Sequence, residues 1–76
     1  MTEIELMQKI GNNIAHELRE CGITQQELAD EIGVNKSTIS RYIHGEMMPT
    51  LKHLFNITVV LNCNIADLVN LDEPID

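Results

Sequence analysis

An all-α domain of five short helices is the fold class this sequence predicts, and three observations carry that expectation. Apolar residues recur every three or four positions along most of the chain, which is the helical period. No run alternates convincingly with the period of two that a half-buried strand requires. The first three apolar stripes also end at a glycine, the residue that closes a helix most cheaply. At 76 residues and with 43% hydrophobic and 22% charged residues, the chain has the size and balance of one globular domain. A domain so small buries only about 60% of its unfolded surface, so it packs helices economically or borrows surface from a partner.

The elements follow in order. Met7, Ile10, Ile14, Leu18 and Cys21 form the stripe of a first helix, ended by Gly22. Thr24-Gln25-Gln26-Glu27 is a capping box, in which the threonine hydroxyl and the glutamate each satisfy an orphan amide, and it starts a second helix from about Gln25 to Ile32. Leu28, Ala29 and Ile32 face inward, and the small Ala29 admits a close neighbour. Gly33 breaks this helix and Val34 plugs the core behind the turn. Asn35 caps a third helix from Lys36 to about His44, stopped by Gly45, with Pro49 beyond. Thr50 caps a fourth, with Leu51, Leu54, Ile57, Thr58 and Leu61 in register, and Asn64 opens a short fifth through Ile65, Leu68 and Val69. One domain over residues 1–71 and a short acidic tail over 72–76 complete the plan.

Composition excludes several functions. Cys21 and Cys63 stand far apart, with no CxxC pair, which argues against a redox motif and a disulfide scaffold; both read as small core residues. Neither an export signal nor a run of about 18 apolar residues is visible, so a cytoplasmic protein with no membrane segment is expected. His16, His44, His53 and the cysteines lack ligand spacing, so no metal and no cofactor is expected. No nucleophile elbow or phosphate loop appears, and an enzyme is not expected.

Charge is distributed unevenly. The net charge of −7 argues against a polyanionic partner when taken whole. Between Ile32 and Ala66, however, Glu46 is the lone acid against Lys36, Arg41 and Lys52, and the negative excess lies outside that stretch.

A short helix, a glycine turn and a second short helix, with apolar residues at Leu28, Ala29, Val34, Ile39 and Tyr42, is the spacing of a helix-turn-helix over about residues 24–44. The string TQQELADEIGVNKSTISRYIHGEMMP resembles the DNA-binding domains of the Cro and phage-repressor (Xre) family. The likeness covers about residues 10–70. It implies a compact five-helix lambda-repressor-like domain that binds a palindromic operator in double-stranded DNA as a homodimer and reads it with the third helix. On that helix Ile39 and Ile43 point inward, and Ser37, Ser40, Arg41 and His44 point outward with Lys36 leading. Base reading is assigned to Lys36, Ser37 and Arg41, where the family's principal contacts fall, with Ser40 assisting. Asn35, Thr38 and His44 flank that face and are assigned to phosphates. So is Gln25, which the family uses as a clamp at the start of the second helix.

Two departures stand out. Glu46 follows Gly45 where relatives often carry a basic residue, which predicts modest, salt-sensitive affinity. Leu18 and Ile43 occupy positions where many relatives pair an arginine with a glutamate, and they are expected to touch. Phe55, Val59, Val60, Val69 and Leu71 exceed what five helices obviously bury and are assigned to a dimer interface. Met47 and Met48 fit either loop packing or a second contact. A regulator acting by operator occupancy, more readily a repressor than an activator, is the expected function. The rival is a protein-interaction module, such as an antitoxin or a helix-turn-helix that has lost DNA, with a protein as its partner.

Overall fold

The computed structural model describes residues 1–69 of the chain, so Leu71 and the acidic tail lie outside the described residues. Five helices follow in the expected order: α1 Glu3–Cys21, α2 Gln25–Ile32, α3 Lys36–Ile43, α4 Leu51–Leu61 and α5 Ile65–Leu68. No strand occurs among the described residues. α1 packs along α3, α2 rests on α3 and α4, and α5 closes the far end against α1 and α4. The side-chain amide of Asn13 donates to the Leu68 carbonyl at 2.8 Å, tying α5 to the middle of α1.

Caps set these boundaries. The Thr24 hydroxyl accepts from the Glu27 amide at 3.0 Å, and the Glu27 carboxylate accepts from the Thr24 amide at 3.0 Å. Thr2 and Glu5 repeat the arrangement at the start of α1, which therefore begins at Glu3, a full turn before the first residue of the expected stripe. At the end of α2, Gly33 takes φ 76°, ψ 34°. This left-handed turn lets the amides of both Gly33 and Val34 donate to the Ala29 carbonyl, and a side chain there would be strained.

The core is built from Ile10, Ile14 and Leu18 of α1, Leu28 and Ala29 of α2, Ile39 and Tyr42 of α3, Leu54, Ile57 and Leu61 of α4, and Leu68 of α5. Ile32, Val34, Ile43, Met47 and Met48 pack on it partly buried, so the two methionines belong to the loop's own packing. The cysteine expectation needs correction. Cys63 does pack against the core, where burial first, then the nearby Glu17, Asp67 and Cys21, pushes its thiol up to about 11. Cys21 is exposed. It sits in the last turn of α1 at the rim of the core, where its thiol donates to the Leu61 carbonyl at 3.1 Å. The buried stripe of α1 is Leu6, Ile10, Ile14 and Leu18, displaced one turn toward the N-terminus.

Of the four glycines, Gly11 is the most closely packed, buried where α1 crosses the end of α3. A Cβ built there would meet the Tyr42 carbonyl oxygen and lie 2.5 Å from the Ile43 carbonyl oxygen and 2.9 Å from its carbon. These neighbours are backbone, which has no rotamer to give. Alanine inside a helix is worth about 1 kcal/mol over glycine, whereas overpacking a rigid contact costs about 1–3 kcal/mol. The clash wins. Gly11→Ala is expected to lower stability by up to about 2 kcal/mol in urea denaturation, and a gain in stability would show that the helices stand further apart.

Leu18 and Ile43 line one cleft of about 260 Å³ together with Ala15, Arg19, Ile23, Thr24 and Gln25. Leu18 is buried and Ile43 partly so. Truncating Leu18 removes apolar contact and enlarges this hollow, so Leu18→Ala is expected to cost about 2–4 kcal/mol. A loss below about 1 kcal/mol by the same measurement would mean that the side chain contributes little to the core.

Candidate nucleic-acid interface

The geometry of α3 separates its residues into two sides. Ile39 and Tyr42 are fully buried, and the Tyr42 hydroxyl is paired with His53 Nδ1 at 2.9 Å, which anchors α3 to α4. Burial raises the phenol above its ordinary pKa. At about 100° per residue, Lys36, Ser37, Ser40, Arg41 and His44 then share an arc of about 140° opposite that anchor. Lys36, Ser37, Arg41 and His44 are exposed, whereas Ser40 and Thr38 are half-buried. The outer face of α3 carries no acid.

Three details refine the side chains assigned to this face. Asn35 occupies the N-cap of α3 in an extended conformation, but its side chain makes no capping hydrogen bond. This differs from Thr24 and leaves the exposed Asn35 amide turned to solvent. Second, Gln25 is half-buried at the first position of α2 and lines the cleft between α1, α2 and Ile43. Third, His44 Nδ1 lies 2.7 Å from the Ser40 carbonyl and 3.3 Å from the Ser40 hydroxyl. A carbonyl only accepts, so Nδ1 carries the hydrogen and Nε2 is the nitrogen left for solvent.

The loop after α3 contains the acid that departs from the resemblance. Glu46 is exposed, and its backbone amide donates to the Arg41 carbonyl at 2.9 Å. That bond holds the loop against the C-terminus of α3.

The apolar residues assigned to an interface divide. Phe55 and Val59 are 62% and 63% exposed, and with Leu51 at 80% they form an i, i+4, i+8 stripe along the outside of α4. Val60 and Val69 instead pack against the core. Leu71 is outside the described residues. The sequence reading missed Leu51 because it is in register with the inward residues, although its place in the first turn of α4 leaves it beyond the core.

Arg19 is the other residue that sequence alone did not assign. It is exposed in the last turn of α1, and no carboxylate of the described residues pairs with it. It lines the same cleft as Gln25. No group of three or more His, Cys, Asp or Glu side chains among the described residues is arranged to hold a metal ion. No helix among them is long and apolar enough to cross a membrane.

Comparison with known proteins agrees with this geometry. Residues 14–68 match the model of the HTH_3 helix-turn-helix family. The cryptic phage CTXphi transcriptional repressor RstR of Vibrio cholerae is 33% identical over 60 residues, which are 79% of this chain and 54% of RstR. This chain therefore spans about half the length of that relative. An uncharacterised HTH-type transcriptional regulator of Archaeoglobus fulgidus is 38% identical over 52 residues, 68% of this chain and 74% of its own length. Among solved structures, the restriction-modification controller protein C.AhdI of Aeromonas hydrophila superposes with a TM-score of 0.77 at 19% identity, covering 82% of this chain and 94% of C.AhdI. An HTH_3 family transcriptional regulator of Vibrio cholerae does so at 0.81 and 21% identity, over 92% of this chain but 39% of its own. With more than half of its length matched by one family model and its five helices superposing on such regulators, the chain belongs to the Cro and phage-repressor type of helix-turn-helix family.

Proposed function

We propose that this protein is a sequence-specific, double-stranded DNA-binding regulator of transcription that works in the cytoplasm as a homodimer on a palindromic operator, repressing by occupancy. The observation that carries the reading is the outer face of α3: an arc free of acids, held outward by the buried Ile39 and Tyr42. A helix of this kind fits the major groove. Arg41 and Lys36 are suited to guanine O6 and N7, and Ser37 and Ser40 to donors or acceptors of several bases. Gln25, Asn35, Thr38 and His44 surround that face and would grip the backbone.

A single half-site is short, and two copies related by a two-fold axis double its length. The exposed stripe of Leu51, Phe55 and Val59 supports this use, with Phe55 and Val59 as its centre. Val60 and Val69 are partly buried against the core. The names of relatives such as the repressor RstR support the regulatory reading.

The test is selection of bound duplexes from a random pool, followed by titration of the recovered site. Arg41→Ala is expected to relax preference at one base pair and to cost about 1–3 kcal/mol on the selected sequence. Recovery of no sequence, together with a stoichiometric protein partner from the host, would establish the protein-interaction reading instead. For assembly, the double variant Phe55→Glu, Val59→Glu is expected to sediment as a folded monomer and to lose the palindromic site. A wild-type monomer at micromolar concentration would remove the dimer.

A further inference from the structure

We infer that Arg19 is a second DNA-backbone contact, seated on one cleft with Gln25, so that one phosphate of the operator is gripped from both α1 and α2. The inference rests on the DNA-binding reading above. Ala15, Leu18 and Arg19 lie at i, i+3 and i+4 on α1 and form one wall of the cleft. Ile23, Thr24 and Gln25, from the turn after α1 and the start of α2, line the same cleft, as does Ile43, the last residue of α3. Arg19 is therefore on the side of α1 that faces the start of α2 and the end of the reading helix.

The chemistry of the rim fits a phosphodiester. Leu18 and Ile43 give the cleft an apolar lining that offers a charged group nothing, and the exposed Arg19 guanidinium stays in solvent. The Arg19 side chain is exposed and has no carboxylate partner among the described residues, and an arginine with no partner presents its full set of donors. Gln25 is half-buried on the same cleft, with an amide that donates. Two donors of this kind on one cleft suit the two non-bridging oxygens of one phosphate, and the guanidinium binds such an anion bidentately. Of the acids nearest in sequence, Glu17 is half-buried near the Cys63 thiol, Glu20 lies 3.9 Å from His16, and Glu27 closes the Thr24 capping box. Sequence distribution places Arg19 in the acidic part of the molecule, whereas the fold brings it beside the clamp.

The experiment compares wild type, Arg19→Gln and Arg19→Lys on the selected duplex and on a scrambled duplex, each over a range of salt concentrations. Melting curves show whether the variants fold alike. One phosphate contact contributes about 0.9 to the slope of log K against log salt. Arg19→Gln is therefore expected to flatten the slope by about 0.9 and to weaken both duplexes by the same factor, about eightfold at 0.1 M salt. Arg19→Lys is expected to restore the slope, because it restores the charge. An unchanged slope in Arg19→Gln, with Arg41→Ala still relaxing sequence preference, overturns the Arg19 assignment and leaves the DNA-binding reading standing. A loss of preference in Arg19→Gln also overturns it, since a backbone contact carries no base information. Failure of the wild type to bind either duplex overturns both readings.

Discussion

Everything on the working side of this molecule depends on the crossing of α1 over the end of α3. At Gly11 the backbone of α1 comes against the carbonyls of Tyr42 and Ile43 with no side chain between. Two helices that touch through backbone have little freedom to rotate or slide, because any shift is opposed by atoms that cannot change rotamer. The contact lies beside Tyr42, whose ring is buried and whose hydroxyl is tied to His53. α3 is thereby held at both its outer turn and its core face. Its eight residues would be marginal as an isolated helix. Packing against α1 and α2 supplies the order that its length does not.

That order determines how charge is used. A chain with a net charge of −7 is repelled by DNA at long range. On the proposed reading attraction would come from short-range placement: Lys36 and Arg41 on α3, with Arg19 added from α1. Because the screening length is about 8 Å at physiological salt, acids on the far side of the domain weigh little on a phosphate at this face. Glu46 is closer and counts against binding. Its backbone bond to the Arg41 carbonyl nevertheless closes the loop that ends α3.

Much of the fold was legible because it is governed locally. The capping box at Thr24, the left-handed turn at Gly33 and the 3.6-residue stripes of α2 to α4 are short-range rules, and the structure follows them. The same capping signal at Thr2 and Glu5 could have placed the true start of α1. What could not be read involves partners distant in sequence. Gly11 looks like an ordinary helix interruption until α3 is laid against it. Cys21 fits the apolar period but lies where the core has ended, and Leu51 fits the inward register but precedes the core. Val60 and Val69 read as surplus because the capacity of the core depends on how α5 closes it. For the candidate site, the outer arc of α3 followed from periodicity alone. Arg19 was not assigned, since its place on one cleft with Gln25 depends on how α1 and α2 meet, which no local pattern encodes.

The cleft beside Arg19 also gives a physical account of the departure at Leu18 and Ile43. Where an arginine on the first helix and a glutamate on the third meet in the interior, each must surrender its water, and their attraction repays that cost only with good geometry. Two apolar side chains at these positions avoid the cost, and they line the cleft without a buried charge to satisfy. Among the described residues no buried side-chain polar atom is left without a partner. A positive charge, Arg19, stands one residue further along α1, exposed on the lining of the cleft, where it keeps its hydration. A guanidinium locked inside an ion pair would have to break that pair to serve a phosphate, whereas Arg19 has no such bond to lose. The apolar pair in the core and the exposed arginine beside it thus belong to one arrangement, in which the interior holds the helices together and the charge stays in solvent.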